Sequence, residues 1–115
     1  MGLNAPSGSE LAATALTGAF NTASHTTSAI VMLEGLFNIS FWGTFTATAQ
    51  LERSFDGGTT FLPATTDATG TVAAWTAATS VVAVEPEPGV YYRLNCTSYT
   101  SGTLNYRLSA GPRLT

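Results

Sequence analysis

Residues 37–61 read FNISFWGTFTATAQLERSFDGGTTF, and this stretch decides the fold class. Phe45, Ala47, Ala49 and Leu51 alternate with Thr46, Thr48, Gln50 and Glu52 without a break. A period of two is that of a β-strand with one face in a core and the other toward water or a partner. Phe37, Ile39 and Phe41 set the same pattern one segment earlier, with Trp42 read into the core beside them, and Gly43 marks a bend between the two. Asp56-Gly57-Gly58 then supplies the positive-φ residues of a tight hairpin, with residues 59–63 as the returning strand.

Working back from this stretch, SAIVMLE at 28–34 is an apolar run short enough for a strand buried on both faces. Residues 21–27 form a polar loop holding the one histidine, His25. LAATALTGAF at 11–20 fits either a short helix or a first strand with Leu11, Ala13 and Ala15 on one face; Gly18 and the Thr-rich continuation favour the strand. Residues 1–10 read as an N-terminal arm and 111–115 as a short tail.

Working forward, 64–70 is a loop, 71–75 a short strand, and the β-branched run at 80–84 a clear one. Glu85-Pro86-Glu87-Pro88-Gly89 ends that run with charges and prolines that act as gatekeepers against aggregation. Val90, Tyr92, Leu94 and Cys96 point inward from the next strand, and Leu104, Tyr106, Leu108 and Ala110 from the last. About seven or eight strands with turn signals every 8 to 12 residues predict one antiparallel β-sandwich over 11–110, jelly-roll or immunoglobulin-like.

The totals narrow the function classes. A chain of 115 residues holds one domain, and its charged share of 10% is far below the usual quarter or so. There is no lysine, and twenty threonines carry much of the polar surface. Such a surface is weakly protected against self-association, so it is either covered in an assembly or is a Thr-rich coat. The net charge of -3 and the four scattered arginines argue against nucleic acid as a partner. No apolar run is long enough for a membrane helix, and Met1 to Pro6 lacks the basic and apolar regions of a signal peptide. A lone Cys96 on an inward position reads as a small buried hydrophobe.

No cofactor, metal or catalytic residue is expected. His25 has no acid, cysteine or second histidine in motif spacing, and Asp56, Asp67, Glu85 and Glu87 match no calcium loop. Arg53, Arg93 and Arg107 each sit on a strand, where cross-strand pairing with Glu52 outweighs a ligand role. Trp75, Tyr91 and Tyr99 are open between core and contact surface; with Leu3 and Leu11 they are the candidate assembly residues.

Ser54, Asp56, Gly58, Thr60 and Phe61, with Gly57 between, resemble the Asp-box of sialidases and related β-propeller proteins. The resemblance implies a structural hairpin turn in which the aspartate caps turn amides and the aromatic packs beneath. One copy supports a hairpin and no sialidase, because a propeller carries the box blade by blade.

Residues 37–61 together with EPEPGVYYRLNCTSYTSGTLNYRLSA at 85–110 resemble a family of small virion proteins of tailed bacteriophages. Phe61 stands where that pattern usually has tryptophan. The resemblance implies a β-sandwich structural protein of the particle. Within it, the expectation is a capsid decoration, or cement, protein that binds the major capsid protein on the outer surface of the virion as a homotrimer. A tail, neck or fibre component shares the fold and composition, and a carbohydrate-binding module is the reading from another class.

Overall fold

Rolling up one long hairpin generates the architecture. The computed structural model describes residues 14–66 and 68–111, so the expected arm, Leu3, Leu11, Asp67 and the tail beyond Gly111 lie outside the described residues. The hairpin tip is the turn between β5 (Phe45–Ser54) and β6 (Leu62–Pro63). Outward from it, β7 (Ala74–Trp75) continues the pairing with β5, and β4 (Gly35–Trp42) pairs with β8 (Thr79–Glu85). Next, β2 (Thr26–Thr27) and β3 (Val31–Met32) pair with β9 (Tyr91–Gly102), and β1 (Thr14–Phe20) pairs with β10 (Leu104–Ala110). All of these pairs are antiparallel.

The rolled hairpin closes as two packed sheets. Sheet A has the order β1-β10-β4-β8; sheet B runs β2-β9-β5-β6, with β3 also on β9 and β7 also on β5. Counting β2 with β3 and β6 with β7 as interrupted single strands leaves eight, in the orders 1-8-3-6 and 2-7-4-5. That is the jelly-roll arrangement of a double sheet, which decides between the two expected topologies. The predicted all-β sandwich is therefore what forms, and residues 14–20 are strand rather than helix.

The core lies between the sheets. Phe37, Ile39 and Phe41 enter it from β4, and Ala47, Ala49 and Leu51 from β5, as their alternation dictates. Val90, Tyr92, Leu94, Cys96, Leu104, Tyr106 and Leu108 complete it from the last two strands and the residue leading into them. Aromatic rings bridge the layers: Phe37 meets Tyr92 at 5.0 Å and Phe41 meets Trp75 at 5.3 Å between centroids. Tilted pairs of this kind add about 0.5–1.5 kcal/mol each beyond the area they bury.

Several local expectations shift. Ala15 faces outward and Leu16 packs on the core, so β1 has the opposite phase to the one predicted. Residues 28–34 are not a strand buried on both faces: only two-residue pieces of an edge pair with β9, and Ile30 is exposed. Ser28 interrupts the edge, its hydroxyl accepting from Leu94 N and donating to Ala29 O, which splits the ladder. The returning strand of the hairpin starts at Leu62 rather than residue 59, because the capped turn takes up the intervening residues. Trp42, expected in the core, is 46% exposed, since it follows Phe41 on the opposite face of β4.

Candidate functional site

The tip of the hairpin is built by side chains bonding to its own backbone. Ser54 Oγ donates to Asp56 Oδ1 at 2.7 Å and accepts from Gly58 N at 3.0 Å. Asp56 Oδ1 also accepts from Thr59 N at 3.1 Å and Thr60 N at 2.8 Å, while Gly57 and Gly58 both take positive φ. Ser54, Asp56, Gly57, Gly58 and Thr60 thus come together as one capped turn. Phe61 lies under the Arg93 guanidinium, 4.1 Å from its ring centroid.

The amide of Thr60, with Ser54 Oγ–H and then Thr60's side chain and Thr59's amide, draws the Asp56 pKa down from 3.8 to about 2. A depressed native pKa means that the cap contributes fully above the unfolded value and is lost as pH falls through about 2. A carbon-detected NMR titration of the Asp56 carboxyl should show a midpoint near 2, moving up toward 3.8 in Ser54→Ala. An unshifted midpoint in the native protein would remove the capping account.

On the outer face of sheet B, Glu52 is buried although it points away from the core. Arg93 Nε donates to its Oε1 at 2.7 Å, and Gln50 Nε2 and Asn95 Nδ2 donate to Oε2 at 3.0 and 3.1 Å. Burial raises the Glu52 pKa, but the donors from Arg93, Asn95 and Gln50 outweigh it and hold the carboxyl below its ordinary range. The cross-strand pairing expected for Glu52 is made with Arg93, its register partner on β9.

Arg53 turns the other way. It points between the sheets with Tyr92, and its Nε and Nη2 reach Glu85 Oε1 from β8 at 3.0 and 2.7 Å. Tyr92 OH donates to the same oxygen at 2.6 Å, and Glu87 N donates to Oε2 at 3.0 Å. Glu85 is a buried inter-sheet ion-pair partner, which corrects its reading as an exposed gatekeeper. The cluster seals the core at the end nearest the tip.

Among the described residues, no group of three His, Cys, Asp or Glu could hold a metal ion. His25 is exposed in its loop with φ of 64°, and Cys96 is buried. Of the candidate assembly residues, Trp75 packs tilted against Phe41 and Tyr99 is fixed by its hydroxyl to Asn21 O and Gly102 O. Tyr91 is half-buried beside Ser54 in the neighbouring strand.

Two apolar surfaces stand out instead. At the tip, Phe55 is 62% exposed and Leu62 53% exposed, and the end of Ile30 lies against Gly58. On the outer face of sheet A, Leu36, Val82 and Val84 are each more than three-fifths exposed, and Leu36 pairs directly with Val84 across β4 and β8. The sequence carries the signal for the second. Leu36 is out of phase with Phe37, and the run at 81–84 can bury only alternate residues in a sheet with one face to solvent.

Comparison with protein-family models, with curated proteins and with solved structures returned no match.

Proposed function

We propose that this chain is a structural protein of a tailed-phage particle, a capsid decoration protein that docks on the outer shell through its hairpin tip. The observation that carries the reading is Phe55, exposed at the end of a turn already locked by Ser54 and Asp56. An aromatic on a preorganised turn loses little conformational freedom on binding, which is the property of an interface anchor. The weakly charged, threonine-rich surface around it removes the electrostatic barrier to close packing against a partner. The sequence resemblance to small phage virion proteins supports the same role. In this reading many copies, assembled as trimers, each bury a modest surface and together raise the barrier to separating capsomers.

The test is to mix the purified protein with undecorated capsids of a tailed phage and count bound copies. Stoichiometric decoration is expected for the native chain, and loss of it for Phe55→Asp with an unchanged far-ultraviolet spectrum. Binding to isolated tails instead, or to glycans with no affinity for capsids, would overturn the proposal.

A further inference from the structure

β8 is an edge strand without the usual defences against pairing. It ends the strand order of sheet A and, among the described residues, pairs with β4 alone. Its seven residues match β4 with no shift in register, so the edge carries no bulge. Native sheets blunt such edges with lysine, proline, bulges or very short strands. Sheet B does so: its outer strands β2, β3, β6 and β7 are two-residue pieces, and β6 ends on Pro63. Thr79 to Val84 hold no charge and no proline, and Glu85, the first charge, is turned into the core on Arg53.

Beside this edge the sandwich is open. A cleft of about 410 Å³ lies between the sheets, lined by Ile39 and Leu51 from the core strands, by residues 81–84 of β8, and by Ala73 and Trp75 across from them. A second, of about 280 Å³, continues it toward Glu85 and shares Leu51, Thr65, Ala83 and Val84. Four consecutive residues of β8 border the first cleft, so its wall is the edge of the strand and not one face alone. Alternate side chains of a strand laid along that edge would enter the cleft. The lining decides their chemistry. No charged residue borders the first cleft, and Arg53 and Glu85, which border the second, hold each other. An inward charge would lose its water and find no partner.

We infer that β8 takes an extended segment of another protein as an added strand, uncharged and with aliphatic side chains at every second position. Such a segment gives its backbone to the free ladder positions of β8 and its alternate side chains to the cleft. A second copy of this chain fits less well. Antiparallel pairing of two β8 strands keeps each copy's Val81 and Ala83 over its own cleft and leaves both clefts unfilled. An edge of seven residues is about 23 Å long and, at a sheet thickness of about 10 Å, offers roughly 230 Å². That is well below the roughly 800 Å² per partner of a stable interface. The inference does not rest on capsid docking through Phe55, and the two fail separately.

Amide hydrogen exchange on the native chain tests it. The probe is a capped peptide of alternating threonine and valine, as long as β8. At saturating peptide, the β8 amides that point away from β4 are expected to exchange about tenfold more slowly or better, as newly bonded amides do. A peptide with aspartate in place of valine should give no protection. Thr65→Trp, which fills the cleft from an exposed position, should abolish protection by the threonine–valine peptide. Unchanged exchange in the native chain would overturn strand addition. Equal protection by the aspartate peptide, or full protection of Thr65→Trp, would overturn the cleft as the seat of the inward side chains. Protection without peptide that grows with chain concentration would place a second copy on the edge and overturn the partner assignment.

Discussion

Gly102→Ala is expected to lower the unfolding free energy by about 2–5 kcal/mol, a large share of the 5–15 kcal/mol typical of a domain. Gly102 ends β9 with φ of 85°, where the chain leaves sheet B for sheet A. Gly43, with φ of 113°, stands where β4 leaves sheet A for β5 in sheet B. The two crossings touch: Thr103 N donates to Thr44 O at 2.9 Å. A Cβ on Gly102 would overlap Thr44 O and stand 2.7 Å from Phe45 Cα, and a Cβ on Gly43 would stand 2.5 Å from Thr103 O. Each obstacle is backbone held by the opposite crossing, so neither side can give way. Overpacking costs about 1–3 kcal/mol, and a left-handed alanine adds about 1–2 kcal/mol. Gly35→Ala is the control, since Gly35 also has positive φ, at 68°, but nothing within 4 Å of an added Cβ. Denaturant unfolding should find Gly102→Ala much the more damaging of the two; equal losses would mean that backbone strain alone, and not the abutting crossings, sets the effect.

The corner explains how far the sequence could be read. Alternation at 37–41 and 45–51 identified the strands and their core faces because the hydrophobic effect acts on single side chains, whose phase is written locally. Gly43 showed as a bend for the same reason. Its partner did not, because the meeting of Gly43 with Thr103 depends on a strand pairing sixty residues apart, and nothing local encodes it. Ser28 likewise carries no mark that its hydroxyl will take a ladder position against Leu94. The turn at 54–60 was legible residue by residue, since its bonds span four positions or fewer. Phe55 and the Leu36–Val82–Val84 stripe are harder to read, because an apolar residue on the outward side of an alternation is exposed only if no partner strand or second sheet covers that face.

Arg53 and Glu85 show the same limit, and removing the arginine alone should do more harm than removing both. The Glu85 side chain is 1% exposed and that of Arg53 35% exposed, so the pair is buried on the acidic side and open to water on the basic side. Arg53→Met strands a buried carboxylate; an uncompensated buried charge costs about 3–5 kcal/mol, and the partial exposure of Arg53 places this loss toward the lower figure. Glu85→Leu leaves an arginine able to turn to solvent and a Tyr92 hydroxyl without its acceptor, a loss of about 1–3 kcal/mol. The double variant should recover part of what Arg53→Met loses, down to the level of Glu85→Leu, because no buried carboxylate is left stranded while the Tyr92 hydroxyl still lacks its acceptor. The pH dependence gives an independent sign. Burial pushes the Glu85 carboxyl up, but Tyr92, the Glu87 amide and Arg53 together hold it below its ordinary value. In the native chain the group therefore stabilises above its unfolded pKa, and that stability drains as pH falls through the lower native value. In Arg53→Met the Tyr92 hydroxyl and the Glu87 amide still favour the carboxylate but the arginine's share is gone, so the native pKa moves up toward the unfolded one and less stability drains on acidification. Denaturant midpoints measured from neutral to mildly acidic pH will separate the two slopes. Parallel pH profiles, or a double variant as damaged as Arg53→Met, would mean that the inter-sheet pair does not close this end of the core.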